Sequence, residues 1–184
     1  MKIRQKIPLL LILGLLISGC NEITAKDMET RSDGKVYLKS DRRTPYTGPY
    51  VAYFPTKKIR NEDGEEEDEP QRIYKTGTYI NGTKEGTWTT YKWNGEKRED
   101  KYLGGRLNGA TTWFHTGDRK ARVQEFVDGR EDGGGSYYDG EGNVTKNDFW
   151  DDGIAIAYPN PEKRAALEER RKNTKAAIKE GGGG

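Results

Sequence analysis

The stretch Gly86-Thr87-Trp88-Thr89-Thr90-Tyr91-Lys92-Trp93-Asn94-Gly95, with Tyr102-Leu103-Gly104-Gly105 after it, decides the fold of this chain. An aromatic residue, two variable residues and a glycine recur in four places, beginning at Tyr79, Tyr102, Phe126 and Trp150. Successive aromatic residues are 23, 24 and 24 residues apart. A fixed period of this size is typical of a repeat array, in which copies of one supersecondary unit stack on their neighbours.

Each copy contains the signals of a β-hairpin. In three of the four copies a second glycine follows four residues after the first, and another aromatic residue follows five residues later, as in Gly86 and Tyr91. A divergent earlier copy has Gly48 and Tyr53 at the same offset. Threonine and aromatic residues favour strands, and Asn-Gly or Asp-Gly favours tight turns. The pattern predicts a mainly β fold, an elongated array of stacked β-hairpins in an antiparallel meander. We expect turn glycines at Gly82, Gly86, Gly95, Gly105, Gly109, Gly129, Gly133 and Gly153.

The N-terminus has the pattern of an export signal. Residues 1–6 are basic and residues 7–17 are apolar, which is short for a membrane span. Ile17-Ser18-Gly19-Cys20 resembles the lipobox of bacterial lipoproteins, and Cys20 is the only cysteine. We expect a signal peptide at 1–19 and lipid attachment at Cys20; an ordinary signal peptide is the alternative. Because residue 21 is asparagine rather than aspartate, we expect an envelope location, in an outer membrane if the cell has one.

The rest of the chain divides into three parts. Residues 20–35 are predicted to be a flexible, lipid-anchored tether, and residues 36–158 hold the repeats, opened by a strand at Val36-Tyr37-Leu38. Residues 159–184 form a tail, in which the Ala-, Glu-, Lys- and Arg-rich run from Glu162 to Glu180 predicts a helix.

Residues 61–70 interrupt the first repeat. The run contains Glu65, Glu66 and Glu67 and has no apolar side chain to bury, which predicts an exposed loop between the strands of the first hairpin. Clustered carboxylates also attract hard cations, so a cation site is the alternative, although the alternating ligand pattern of a calcium loop is missing. We predict no metal and no cofactor.

The charge balance argues against nucleic acid as a partner. The chain has 32 Lys and Arg against 30 Asp and Glu, and removal of Lys2, Arg4 and Lys6 with the leader leaves 29 against 30. A near-neutral surface lacks the electrostatic footprint of a nucleic-acid binder. The apolar fraction is only 32%, so aromatic residues must supply much of the buried area.

The four tryptophans are candidate binding residues. Adjacent aromatic pairs such as Trp113-Phe114 point to opposite faces of a strand, so both faces of the sheet can carry rings. An uncovered aromatic face is typical of a partner site, whereas rings that pack on their counterparts in the next repeat form a structural ladder. Both interpretations stay open for Trp88, Trp93, Trp113 and Trp150.

The sequence does not predict an enzyme. His115 is the only histidine and lies at a predicted turn, and a Cys-His pair is excluded if Cys20 is lipidated. The glycines fall at hairpin turns rather than in a phosphate loop. A hydrolase that uses two carboxylates stays formally open, but most carboxylates, such as Asp128 and Asp151, fall where turns favour aspartate.

The run Gly86-Thr87-Trp88-Thr89-Thr90-Tyr91 with Asn94-Gly95, and Tyr102-Leu103-Gly104-Gly105-Arg106-Leu107-Asn108-Gly109 after it, resembles the bacterial variant of the MORN (membrane occupation and recognition nexus) repeat. It is similar to the repeats of YwqK-type antitoxins and of many exported bacterial lipoproteins. The resemblance implies stacked hairpins used for protein contact.

Three functions are consistent with these signals. The first is a non-catalytic envelope lipoprotein whose repeat sheet binds another envelope protein. The second is an immunity protein or antitoxin that neutralises a toxin, with the acidic loop meeting a basic patch. The third is a cell-wall glycan binder that uses exposed aromatic side chains as stacking platforms.

Overall fold

The chain folds mainly into antiparallel strands. A computed structural model describes residues 23–156 and 161–181. Within these residues lie fifteen strands, a 3-10 helix at Ala25–Asp27 and one α-helix, α1, at Pro161–Gly181. The strands are β1 (Met28–Thr30), β2 (Val36–Leu38), β3 (Asp41–Pro45), β4 (Gly48–Tyr53), β5 (Lys58–Arg60), β6 (Glu66–Asp68), β7 (Ile73–Ile80), β8 (Thr83–Tyr91), β9 (Lys97–Leu103), β10 (Arg106–Leu107), β11 (Gly109–Phe114), β12 (Lys120–Val127), β13 (Arg130–Tyr138), β14 (Val144–Asp151) and β15 (Ile154–Ile156). The predicted fold class is confirmed; the predicted signal peptide and Cys20 lie outside the described residues.

The repeats form one open sheet. Its strand order is β15-β14-β13-β12-β11-β9-β8-β7-β4, with the short β10 also paired to β9. Every pairing is antiparallel, so the chain meanders from one edge to the other. A separate three-stranded sheet, β1-β2-β3, precedes it, and β5 pairs with β6 in a hairpin inserted between β4 and β7.

Backbone hydrogen bonds join successive copies at the edge that carries the aromatic-x-x-Gly turns. The turn glycine of each copy donates its N–H to the carbonyl two residues beyond the turn glycine of the preceding copy. These bonds are Gly105 N–H to Lys84 O (3.0 Å), Gly129 N–H to Leu107 O (2.8 Å) and Gly153 N–H to Glu131 O (2.8 Å). The period of the sequence therefore reflects a repeated contact, because each copy places the same acceptor opposite the next donor.

Ion pairs repeat along the same edge. The Arg106 guanidinium contacts the Asp128 carboxylate at 2.7 Å, and Arg130 contacts Asp152 at 2.8 Å. Each arginine directly follows a turn glycine, and each aspartate directly precedes the next one. These side chains are largely exposed, so solvent screening leaves each pair only a small contribution to stability.

All eight predicted glycines have positive φ, but three of them are not in turns. Gly86 lies within β8, Gly109 begins β11 and Gly133 lies within β13, with φ of 68°, 108° and 128°. Around Gly86 and Gly133 the register shifts, so that three residues oppose one on the neighbouring strand. Such bulges require the left-handed backbone region that glycine adopts without strain. The turn assignment is therefore wrong for these three positions.

The predicted tether is partly ordered structure. In residues 20–35, the 3-10 helix is followed by β1, which pairs with β2 through Met28↔Leu38, Glu29↔Tyr37 and Thr30↔Val36. Met28 is buried against the main sheet. The tether prediction is wrong for these residues, because one apolar side chain in a polar run is enough to dock a short strand on the exposed end of the core.

The acidic insertion is a small hairpin rather than a plain loop. Within the predicted loop at 61–70, residues Glu66–Asp68 form β6 and pair with β5. The Asn61 side chain accepts hydrogen bonds from the Asp63 and Glu65 amides at 3.1 and 2.9 Å, which closes the turn. The insertion leaves the sheet between β4 and β7, at the position expected from the repeat spacing.

The core at the β4 end of the sheet is aromatic. Trp88 is 1% exposed, and its ring lies 4.9 Å from Tyr79, 5.0 Å from Tyr50 and 6.2 Å from Tyr102. The indole Nε1 donates to the Thr78 carbonyl at 3.2 Å. These rings meet because their strands are neighbours, and residues of β1 and β2, with Tyr46 after β3, pack against them.

Further along the sheet, the same row of side chains becomes polar. Cross-strand register places Trp88, Asp100, Thr111 and Gln124 in one line, and each is at most 2% exposed. The Thr111 hydroxyl donates to Asp100 Oδ1 at 3.0 Å, and the Arg98 guanidinium donates to Asp100 Oδ2 at 2.8 Å. Hydrogen bonding thus replaces apolar packing where the sequence has few apolar residues.

Helix α1, predicted from residues 162–180, contacts the sheet at β12 and β13. Arg170 is the anchor, since its guanidinium hydrogen-bonds Asp151 and lies 3.9 Å from Asp132. The hydrogen bond to Asp151 raises the pKa of Arg170, so the guanidinium stays charged. In the described part of the chain, no helix has the length and apolar character that crossing a membrane requires.

Candidate functional site

The four tryptophans have different environments. Trp88 belongs to the aromatic core and is buried, so it is not available to a partner. Trp113 is half-buried, and the Arg122 guanidinium lies 4.8 Å from its ring and 5.0 Å from the ring of Tyr137. The guanidinium therefore lies over one face of each ring, in a cation–π contact. Trp150 is half-buried, and its Nε1 is enclosed without a hydrogen-bond partner among the described residues.

Trp93 is the exposed member of the set. It is 41% exposed and lies in the turn that follows β8. Its ring is 5.0 Å from Phe54 at an interplanar angle of 90°, and Phe54 is 5.2 Å from Tyr74, which is 40% exposed. We call Phe54, Tyr74 and Trp93 the aromatic cluster. It lies at the end of the sheet where β4 ends, β7 begins and β8 turns into β9.

Three cations surround the aromatic cluster. Arg72 lies 4.5 Å from the Trp93 ring centroid, Lys57 5.3 Å from the same centroid, and Lys75 6.0 Å from that of Tyr74. Arg72 also donates to the Trp93 carbonyl at 3.2 Å, which holds the turn against β7. Within residues 23–156 and 161–181, no carboxylate is paired with any of these three cations. The positive charge of the three side chains is therefore not neutralised by a described carboxylate.

Two cavities adjoin the cluster. Phe54 lines a cavity of about 710 Å³, together with Ala25 and Pro55. Tyr74 and Lys75 line one of about 440 Å³, whose wall also includes Trp113 and His115. The cluster separates the two, so a partner seated on Trp93 would have a recess on either side.

The acidic hairpin, residues 58–68, leaves the sheet beside the cluster. Glu65, Glu66 and Glu67 are exposed, and Lys58 pairs with Asp68 at 2.9 Å. In the described structure, the three glutamates have no cation within ion-pair distance. Ile59 on β5 is 38% exposed and Ile73 at the start of β7 is 43% exposed, so apolar surface accompanies the charges.

His115 lies in the turn that follows β11, as the sequence predicts. This residue is half-buried, and its backbone N–H donates to the Arg119 carbonyl at 2.8 Å, as a turn residue does. Among the described residues, no group of three or more His, Cys, Asp and Glu side chains is placed to hold a metal ion.

The structure brings together residues that sequence reasoning did not connect. Phe54, Tyr74, Lys57 and Arg72 were not candidates, yet they surround Trp93. Trp93 itself was a candidate. Phe54 directly follows the repeat aromatic residue Tyr53, and this position is the one sequence signal that pointed to it. The three residues of the cluster converge only because β4, β7 and β8 pair across the insertion.

Comparison with known proteins gives no relative: no family model matches the chain, and no curated protein matches it either.

Proposed function

We propose that the chain is a non-catalytic, lipid-anchored envelope protein whose repeat sheet binds another protein through the aromatic cluster. The observation that carries the proposal is the exposure of Trp93 and Tyr74 beside unpaired Arg72. Tryptophan, tyrosine and arginine are the residues enriched at binding hot spots in protein interfaces. The lipid anchor rests on the lipobox-like sequence that ends at Cys20.

The arrangement favours a protein over a glycan as the partner. A glycan binder needs exposed rings as stacking platforms, but Trp88 is buried and Trp113 is half-buried with Arg122 over its ring. Trp93 presents an edge-on contact to Phe54 and carries cations nearby, which suits a mixed apolar and charged protein surface.

The test is affinity capture from the native envelope with the full-length protein, comparing Trp93→Ala with Ile154→Ala. Ile154 is 68% exposed on β15, at the opposite edge of the sheet, so its replacement removes exposed apolar surface away from the cluster. We expect a protein to be captured by the wild type and by Ile154→Ala, and to be lost with Trp93→Ala.

Capture that is equal for both variants would contradict the proposed surface, and recovery of cell-wall glycan alone would favour the glycan hypothesis. If the captured protein is toxic when it is expressed without this chain, the immunity form of the proposal is supported. A Cys20→Ala variant that still fractionates with the membrane in mature form would contradict the lipid anchor.

A further inference from the structure

The surface around the aromatic cluster carries opposite charges side by side. Lys57, Arg72 and Lys75 lie on the cluster, and Glu65, Glu66 and Glu67 lie on the adjoining hairpin. Most other described cations on the sheet are paired, as Arg98 is with Asp100 and Arg122 is with Glu131. Charges of both signs without an ion-pair partner therefore lie side by side in this region.

Apolar exposure is concentrated in the same region. Eight large apolar side chains are exposed among the described residues, and four of them are Ile59, Ile73, Tyr74 and Trp93. They lie on β5, at the start of β7 and in the turn after β8, all at the end of the sheet from which the hairpin projects. Large apolar side chains rimmed by charge are typical of an interface.

A surface with adjacent cationic and anionic halves is complementary to itself. When two identical surfaces meet across a two-fold axis, the cationic half of each copy can face the anionic half of the other. The hairpin of one copy would then lie on the cluster of the other, and the same contact would occur twice. A partner with one sign of charge would satisfy only half of this surface and be repelled by the rest.

We propose that the aromatic cluster and the acidic hairpin form a two-fold interface between two copies of this chain. This inference rests on the proposed function, because it names the partner of the same surface. Lys57 and Lys75 of each copy face Glu65 and Glu67 of the other, and Trp93 packs at the centre of the contact.

The test uses two charge-reversed variants of the full-length protein. One carries Lys57→Glu and Lys75→Glu, and the other carries Glu65→Lys and Glu67→Lys. Two differently tagged copies are expressed together and extracted from the membrane in excess non-ionic detergent. The fraction of one tag that co-purifies with the other is then measured. Lys120→Glu with Lys172→Glu is the control, because it changes the charge equally at exposed sites outside the surface.

We expect wild-type copies to co-purify. When a charge-reversed variant is paired with itself, the fraction that co-purifies should fall about tenfold or more, because both contacts become repulsive. Pairing the two variants with each other should restore co-purification, because both contacts are then attractive. The control should behave as the wild type, and thermal unfolding should show that each variant is folded.

Absence of wild-type co-purification would overturn the inference, and so would variants that co-purify normally with themselves or do not recover when mixed. In each of these cases the proposed function stands if Trp93→Ala still abolishes capture of a different envelope protein. If that capture is also unaffected by Trp93→Ala, both proposals fail.

Discussion

Replacing Gly77 by alanine tests the packing of the aromatic core. Gly77 lies on β7, and a Cβ built there would overlap the indole ring of Trp88. The ring has no room to move away, since Tyr50 and Tyr79 enclose it at 5.0 and 4.9 Å and its Nε1 is held by Thr78. The methyl group therefore must displace either the indole or β7.

The expected cost follows from this geometry. Overpacking a closed core costs about 1–3 kcal/mol. Replacing glycine by alanine also reduces the entropy of the unfolded chain, which offsets about 0.4–1 kcal/mol of this cost. Gly77→Ala should thus lower the free energy of unfolding by about 1–2 kcal/mol. Gly134 on β13 is the matched control, because a Cβ there meets no atom within 4 Å and its φ is not positive. Gly134→Ala should be neutral or stabilise by about 0.4–1 kcal/mol.

Thermal unfolding followed by circular dichroism separates the two variants. For a chain of this size, 1 kcal/mol corresponds to about 2–4 °C, so a gap of about 1–3 kcal/mol predicts melting temperatures about 2–12 °C apart. Urea titrations followed by tryptophan fluorescence give an independent midpoint. If the two variants unfold within about 0.5 kcal/mol of each other, the close approach of Gly77 to Trp88 is refuted.

Three further predictions address the polar row, the buried tyrosine and the stacking edge. Thr111→Val should lower the free energy of unfolding by about 1–3 kcal/mol, because it leaves Oδ1 of the buried Asp100 without its donor; an unchanged urea midpoint would contradict this. Burial raises the pKa of Tyr79 from 10.0 to about 12. As the pH rises, the Tyr79 hydroxyl therefore loses its proton in the unfolded state before it does so in the folded state. The contribution of Tyr79 to the free energy of unfolding is fully present below pH 10 and is lost between pH 10 and 12. The loss of stability over this range should be smaller in Tyr79→Phe, as measured by urea titrations at each pH. Arg106→Gln should lower stability by no more than about 1 kcal/mol, since the ion pair with Asp128 is exposed; a larger loss in a urea titration would show that the edge contacts act cooperatively.

The repeat architecture was accessible from the sequence because it depends on local requirements. Residues such as Gly105 and Gly129 are needed wherever the backbone must take positive φ, and threonine and aromatic runs favour strands in any context. Both kinds of signal recur at the period of the stacked unit. The C-terminal helix was predictable for the same reason, since its residues have high helix propensity.

The assignments that failed depend on contacts between distant residues. Gly86 and Gly133 have the conformation expected of a turn, but only strand pairing shows that they lie in bulges. Met28 lies in a polar run, and its burial is decided by the aromatic core that β7 and β8 expose. Likewise, the local pattern places Trp88 in a strand and Trp93 beside a turn, but it does not show that the first is 1% exposed and the second 41%.

The sequence by itself determined the period, the strand and turn composition and the position of the acidic insertion, because these follow from local backbone preferences and from the spacing of a repeated unit. Only the tertiary structure decided which aromatic side chains are buried and which cations remain unpaired. Those outcomes depend on which residues the sheet register places opposite one another, and the side chains that meet around Trp93 come from strands separated by the insertion. Register across such an insertion is set by the summed packing of many side chains, so no short stretch of sequence contains it.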